Sequence, residues 1–170
     1  GIIYSTTDGG EHWNVAGFEH ELRCITPTAA GILSGGYGIM LLSKQNFEFA
    51  SLDCDRSFYT GIAFSNLLEG VACSYNGALY HTSDGGNTFS IKDKKNHTFG
   101  KNEQFLCIDA RKEKIIASGL SGFTAVSTDG GENFDSGYSL NNSRINSIKF
   151  LNDTIAIAIS DNGKVFRIHL

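Results

Sequence analysis

One eight-residue pattern recurs three times in this chain of 170 residues. TTDGGEHW occupies residues 6–13, TSDGGNTF residues 82–89 and STDGGENF residues 127–134. All three fit [ST]-x-D-G-G-x-x-[FW]. Recurrence at this density marks a repeat architecture, and repeats constrain a fold more than any single motif. Aligning on the glycine a few residues upstream adds two degenerate copies. The five units then register on Gly1, Gly38, Gly77, Gly122 and Gly163, and subtraction gives steps of 37, 39, 45 and 41 residues. The second copy keeps the strand and Ser43 but has lost D-G-G, and the fifth stops before the box.

Each unit reads as four short strands. In the central one, SFYTGIAFS (57–65) is an apolar strand and EGVACSYNG (69–77) a second. The second ends in Asn-Gly, a strong short-range hairpin signal. ALYHTS (78–83) is a third, and after the D-G-G turn NTFSIKD (87–93) is a fourth. LRCITPT, AGILSGGYG and IMLLSK copy this order near the N-terminus. RINSIKFLND, TIAIAISDNG and KVFRIHL copy it at the C-terminus. No segment longer than about ten residues has helical periodicity.

Four antiparallel strands in about 40 residues is the signature of a β-propeller blade. The expected fold is therefore all-β, a propeller of four-stranded antiparallel blades with about four blades here. The units fall near residues 1–16, 21–52, 57–93, 103–138 and 144–170. The innermost strands align on Ile25, Ile62, Ile108 and Ile148, read as core positions between blades. The chain begins and ends at a third strand, so a C-terminal piece of a larger propeller of about seven blades is expected.

Composition supports a packed β domain. Twenty glycines against one proline fit many tight turns, and twelve Phe with six Tyr favour strands. The net charge of −4 argues against a nucleic-acid partner, which needs a basic face. No apolar run reaches the length of a membrane span. No signal peptide is visible, although the start at Gly1 in a strand-like segment fits a targeting sequence lying upstream. Cys24, Cys54, Cys73 and Cys107 form no C-x-x-C. They are read as buried, unpaired thiols.

The repeated acid could be a catalyst, a metal ligand or a turn device. Each copy supplies one carboxylate with no His or second acid at fixed spacing, too little for a calcium loop. A turn role explains every position. Asp8, Asp84 or Asp129 accepts backbone N–H groups two residues on, closing an Asx-type turn. Gly9 and Gly10, Gly85 and Gly86, or Gly130 and Gly131 take positive φ without penalty. The hydroxyl of Thr6, Thr82 or Ser127 bonds locally, and Trp13, Phe89 or Phe134 folds back as an apolar plug.

These boxes resemble the Asp box, or BNR repeat, of sialidases, sortilin-type receptors and propellers similar to the photosystem II stability/assembly factor. The last is the nearest match. GIAFSNLLEGVACSYNGALYHTSDGGNTF (61–89) is similar to that family's unit across a whole blade. The resemblance runs over nearly all of the chain and is specific for fold, whereas Asp boxes occur on many activities. It implies a non-catalytic scaffold binding a protein or peptide partner, and export to a periplasmic, lumenal or extracellular compartment. The family's surface is arginine-rich, whereas the arginines here are scattered.

No enzyme constellation stands out. A sialidase needs an arginine triad and a Tyr–Glu pair, and Arg23, Arg56, Arg111, Arg144 and Arg167 occupy no such context. Other glycosidases need two facing carboxyl groups. Glu21, Asp53, Asp55, Glu69 and Asp109 are candidates whose convergence spacing alone cannot establish, so a glycan-binding or glycoside hydrolase propeller is the alternative reading. His12, His20, His81, His97 and His169 form no H-x-x-x-H or H-E-x-x-H motif, and neither a metal nor a cofactor is expected. Binding is expected on the face opposite the boxes, where turns between second and third strands meet the inter-blade connections. Tyr37, Tyr75, Ser121 and Asn162 fall there from within units, and Arg56, the insertion 92–103 and the segment 136–144 fall there between them. Exposed Tyr and Arg are favoured interface residues, which singles out Tyr37, Tyr75, Arg56 and Arg144. Sequons at Asn96, Asn141 and Asn152 are expected by chance in so Asn-rich a chain.

Overall fold

The computed structural model describes residues 1–44, 47–92, 98–99 and 103–170, in which sixteen strands and no helix occur. A two-stranded sheet pairs β1 (Ile2–Ser5) with β2 (Asn14–Gly17). A four-stranded sheet follows in the order β3 (Leu22–Thr28), β4 (Gly31–Gly36), β5 (Ile39–Ser43) and β6 (Phe49–Ser51). Next come β7 (Tyr59–Phe64), β8 (Gly70–Ser74) and β9 (Leu79–Thr82), then β10 (Phe105–Arg111), β11 (Lys114–Gly119), β12 (Phe123–Ser127) and β13 (Asp135–Ser139). The last sheet is β14 (Ile145–Asn152), β15 (Ile155–Ser160) and β16 (Val165–His169). Every pairing is antiparallel between sequence neighbours, and the first strands β3, β7, β10 and β14 lie side by side. The result is an all-β propeller arrangement of separate meanders around an inner row of strands.

The sheets adhere through the faces they turn to one another. Leu33, Met40 and Leu42 meet Ile62, Ala72 and Tyr80 in one cluster. Val71, Cys73 and Leu79 meet Ile108, Ile115 and Phe134 in a second, and Ile116 meets Ile145, Ile148 and Ala158 in a third. Burying one such side chain contributes about 1.5–3 kcal/mol. Ile62, Ile108 and Ile148 thus occupy the inter-sheet core, each directed at the preceding sheet. Ile25 departs from the expectation that it is a core residue, being 59% exposed. Its register is the same, opposite Ser34 as Ile148 is opposite Ala158. The difference lies in its neighbour, because the preceding sheet holds only β1 and β2.

The unit at 57–93 also differs from its reading. Its expected fourth strand, residues 87–93, is reduced to a bridge in which Ser90 and His81 exchange both backbone hydrogen bonds, at 2.8 and 2.9 Å. The backbone N–H groups of Asn87 and Thr88 are already committed to the Asp84 carboxylate, which shortens the segment free to pair. Asp93, most of the lysine-rich insertion and the sequon at Asn96 lie outside the described residues. Among the described residues no helix is long and apolar enough to cross a membrane.

Candidate binding face

Each inner strand carries a bulge near its start. The register with the second strand skips between Leu22 and Cys24, Tyr59 and Gly61, Phe105 and Cys107, and Ile145 and Ser147. The residues left over are Arg23, Thr60, Leu106 and Asn146. A bulge inserts one residue and re-aims its side chain. Here four bulges aim four side chains into one cavity of about 220 Å³, with Arg144 as the fifth wall. Arg144 Nε donates to Asn146 Oδ1 at 3.1 Å, and Thr60 Oγ1 donates to the carbonyl of Phe105 at 2.9 Å, tying two inner strands together. Glu21, 3.3 Å from Arg23, is not part of the cavity's lining. The lining therefore presents two cations, a hydroxyl and an amide, with no carboxylate among them.

An aromatic row adjoins this cavity. The Phe58 ring is 5.5 Å from Tyr37, edge to face, and 5.9 Å from Tyr75. Backbone bonds fix the row: Tyr37 bridges Phe58, and Tyr75 N–H donates to the Phe58 carbonyl at 2.9 Å. Such ring pairs contribute about 0.5–1.5 kcal/mol beyond burial. Tyr37 remains 64% exposed and Tyr75 38%. The Arg23 guanidinium carbon lies 5.7 Å above Phe58, a cation–π contact that joins the row to the cavity. On its other side Tyr37 helps to wall an open cavity of about 720 Å³ with His20, Leu52, Asp53 and Arg56. The loop carrying Arg56 is pinned from below. Ser57 Oγ shares a 2.6 Å hydrogen bond with Tyr80 and accepts one from Asn76 at 2.9 Å.

All four residues singled out from the sequence therefore lie along one surface. Tyr37 and Tyr75 flank Phe58, Arg56 shares a cavity with Tyr37, and Arg144 shares one with Arg23. Phe58, Arg23, Thr60 and Asn146 escaped the sequence reading. A signal existed for three of them: Arg23, Thr60 and Asn146 each stand two positions before the aligned isoleucine. Ser121 Oγ accepts the Phe123 N–H of its own turn at 3.2 Å and donates to Glu103 at 2.6 Å, and Asn162 accepts from Ser160 in its turn at 2.6 Å. Of the five carboxylates weighed as a hydrolytic pair, Glu21 lies against Arg23, Glu69 against His81 and Asp109 against Lys149, whereas Asp53 lines the cavity beside Tyr37. The cysteines are free, but only Cys73 is buried as expected, with Cys24, Cys54 and Cys107 half-buried. Burial pushes the Cys24 thiol up to about 11 and Cys107 to about 12, and raises Cys73 further, so these three are protonated and unreactive at neutral pH.

The opposite face is built by the D-G-G turns. Thr6, Thr82 and Ser127 each donate a hydroxyl bond of 2.7–2.8 Å to the aspartate two residues on. The same hydroxyl accepts the N–H of the second glycine at 2.9 Å in Gly10, 3.1 Å in Gly86 and 2.9 Å in Gly131. Asp8, Asp84 and Asp129 accept an N–H four residues on, at 3.0 Å each, not two residues on as the turn reading expected, because the two glycines carry the chain around the carboxylate before it returns. Bonds from His12 and Thr6 draw the Asp8 carboxyl down to about 2. For Asp84 and Asp129 burial works upward, but bonds from Thr88 and Thr82, and from Asn133 and Ser127, outweigh it and hold both below the usual range. These acids are saturated acceptors. The aromatic plug holds for Phe134, which is buried, and partly for Phe89. Trp13 departs from it at 56% exposed, its indole N–H donating instead to the Gly10 carbonyl at 3.0 Å. On this face Glu69, His81 and Glu132 also converge, a grouping their scattered positions gave no sign of.

No protein-family model matches the chain, and no curated protein does. Solved structures do resemble it. RRP9 WD40 repeats superpose with a TM-score of 0.79 at 17% identity, covering 99% of this chain and 54% of that one. YCF48 from Cyanidioschyzon merolae gives 0.70 at 15% identity, covering 99% and 63%. A structure described as YCF48 bound to D1 peptide gives 0.58 at 19% identity, covering 66% and 37%. The chain thus spans about two fifths to two thirds of the length of these proteins. At such identities the likeness is one of fold, and the fold is that of a β-propeller.

Proposed function

We propose that the chain is a non-catalytic propeller scaffold that binds a protein or peptide along the Tyr37–Phe58–Tyr75 row, with Arg56, Arg23 and Arg144 beside it. The observation that carries this reading is the convergence of four inner-strand bulges on a cavity with two arginines and no carboxylate. A rigid aromatic row with a guanidinium at its end suits an extended segment bearing an apolar side chain and a carboxylate. No carboxylate pair lines this cavity, so glycoside hydrolysis would lack its acid and base there. A neighbour of the same fold described as bound to a peptide supports the same class of partner. The finer parts of the reading are an assembly-factor-like role, an Asp-box identity for the D-G-G turns, and blades at the boundaries read from the repeat within a larger propeller.

The test is selection of a displayed random peptide library against the chain, with counter-selection on the Tyr37→Ala, Arg144→Ala double variant. Enriched peptides carrying an acidic group or free C-terminal carboxylate, lost on the double variant, support the reading. Peptides that bind both proteins equally overturn it.

A further inference from the structure

We propose that Glu69, His81 and Glu132 form a binding site for a first-row divalent cation of the Zn²⁺ type, placed between two adjacent sheets on the face opposite the aromatic row. Glu69 begins the turn into β8 and His81 lies in β9 of the same sheet, whereas Glu132 comes from the D-G-G turn that joins β12 to β13. Their ligand atoms lie within 4.8 Å of one another. His81 Nε2 is 2.8 Å from Glu69 Oε2 and 3.9 Å from Glu132 Oε1. One imidazole nitrogen with two carboxylate oxygens is a donor set that such cations accept, leaving a position for water.

The second observation is an unanswered polar atom. The His81 side chain is 1% exposed, and both its Nε2 and Glu69 Oε2 are buried without a hydrogen bond despite their closeness. A buried polar atom left unsatisfied is costly, so such atoms call for a ligand. A neutral imidazole nitrogen is the form that ligates metal. Its position is fixed by the two backbone bonds between His81 and Ser90. The exposed cluster of Asp8, Glu11 and His12 lacks these features: all three residues face solvent, and Asp8 is occupied by its turn.

Lys92 decides how open the site is. Its ammonium is paired with Glu132 Oε1, so a cation must displace it. Removing that amine therefore strengthens binding, whereas removing a ligand weakens it.

The experiment is titration of the metal-free chain with Zn²⁺ against a chromophoric indicator, followed by Co²⁺ absorption spectroscopy, for wild type, Glu69→Gln, Glu132→Gln, Lys92→Met and His12→Ala. Circular dichroism melts accompany each protein. The expected result is one saturable Zn²⁺ per chain, weakened about tenfold or more by either glutamine and unaltered by His12→Ala. Lys92→Met tightens binding, a gain that misfolding cannot produce. Zn²⁺ also raises the melting temperature of wild type more than that of Glu132→Gln. No saturable binding by wild type overturns the proposal. So does affinity unchanged in both glutamine variants, or affinity lost in His12→Ala instead.

Discussion

Gly131 sits directly against Val71 of the preceding sheet: a Cβ at Gly131 would lie 2.4 Å from Val71 Cγ2. The second glycine of the D-G-G turn is therefore more than a source of positive φ. It lets one sheet seat its turn on the next. Gly86 repeats the relationship more loosely, 3.2 Å from Phe64 and 3.3 Å from Leu33, and Gly10 meets only Trp13 at 3.6 Å. All three have φ between 94° and 100°. Alanine at each should cost backbone strain of about 1–3 kcal/mol. Gly131→Ala adds overpacking against a fully buried valine, worth about another 1–3 kcal/mol. Urea unfolding should rank the losses Gly131 above Gly86 above Gly10. Equal losses at the three sites would show that φ alone matters.

The aligned isoleucines give a second ranking. Ile148→Ala, at 2% exposure, opens a cavity and should cost about 2–5 kcal/mol. Ile62→Ala and Ile108→Ala should fall slightly lower. Ile25→Ala should change stability by under about 1 kcal/mol, because its side chain is already in water. Chemical denaturation midpoints, with slopes held constant, measure all four.

The repeat was legible because its signals are local. Asn-Gly turns, D-G-G turns and alternating apolar runs each encode backbone geometry within a few residues, so the propeller arrangement followed from spacing. Exposure of Ile25 was not legible, since it depends on what stands next to its sheet. The binding face was legible in part. Tyr37 and Tyr75 sit in recognisable turns, but Phe58 acquires its role only as the ring between them, and Arg23 only through a bulge that no residue type announces. The truncated fourth strand after Asp84 was hidden for a related reason. Asn87–Ser90 has ordinary strand composition, and the turn's demand for N–H donors overrides it. Glu69, His81 and Glu132 come from different strands and turns, and only sheet packing brings them together.

The cavity at the inner-strand bulges predicts a charge-dependent partner. Arg144→Ala and Arg23→Ala should each weaken a carboxylate-bearing peptide by about 1.5–3 kcal/mol, the range for a charged hydrogen bond. The double variant should lose less than the sum, as both line one cavity. Phe58→Leu should weaken binding and also lower Tyr37 and Tyr75 order, read from aromatic NMR linewidths. Peptide affinities measured by fluorescence anisotropy at two salt concentrations check this. A loss that is independent of salt would place the peptide elsewhere.

Acid should destabilise the chain in two separate windows. The folded pKa of His81 lies below its ordinary value of 6.5, so between the two the unfolded chain binds more protons. Stability from the neutral, buried ring is complete above that value and is lost as pH falls toward the folded pKa. Lys92 is one cause of the lowered pKa. Lys92→Gln should therefore raise it and flatten the fall in melting temperature as pH drops below 6.5. Asp84 and Asp129 act lower. Their folded pKa values lie below the ordinary 3.8, so their contribution is present above that pH and lost as pH drops through the folded values. Asp129→Asn should remove part of this second loss and leave the first intact. Melting temperature against pH, paired with an NMR titration of the His81 ring, resolves the two. A His81 ring that titrates at or above 6.5 in the folded chain would defeat the assignment of the upper window.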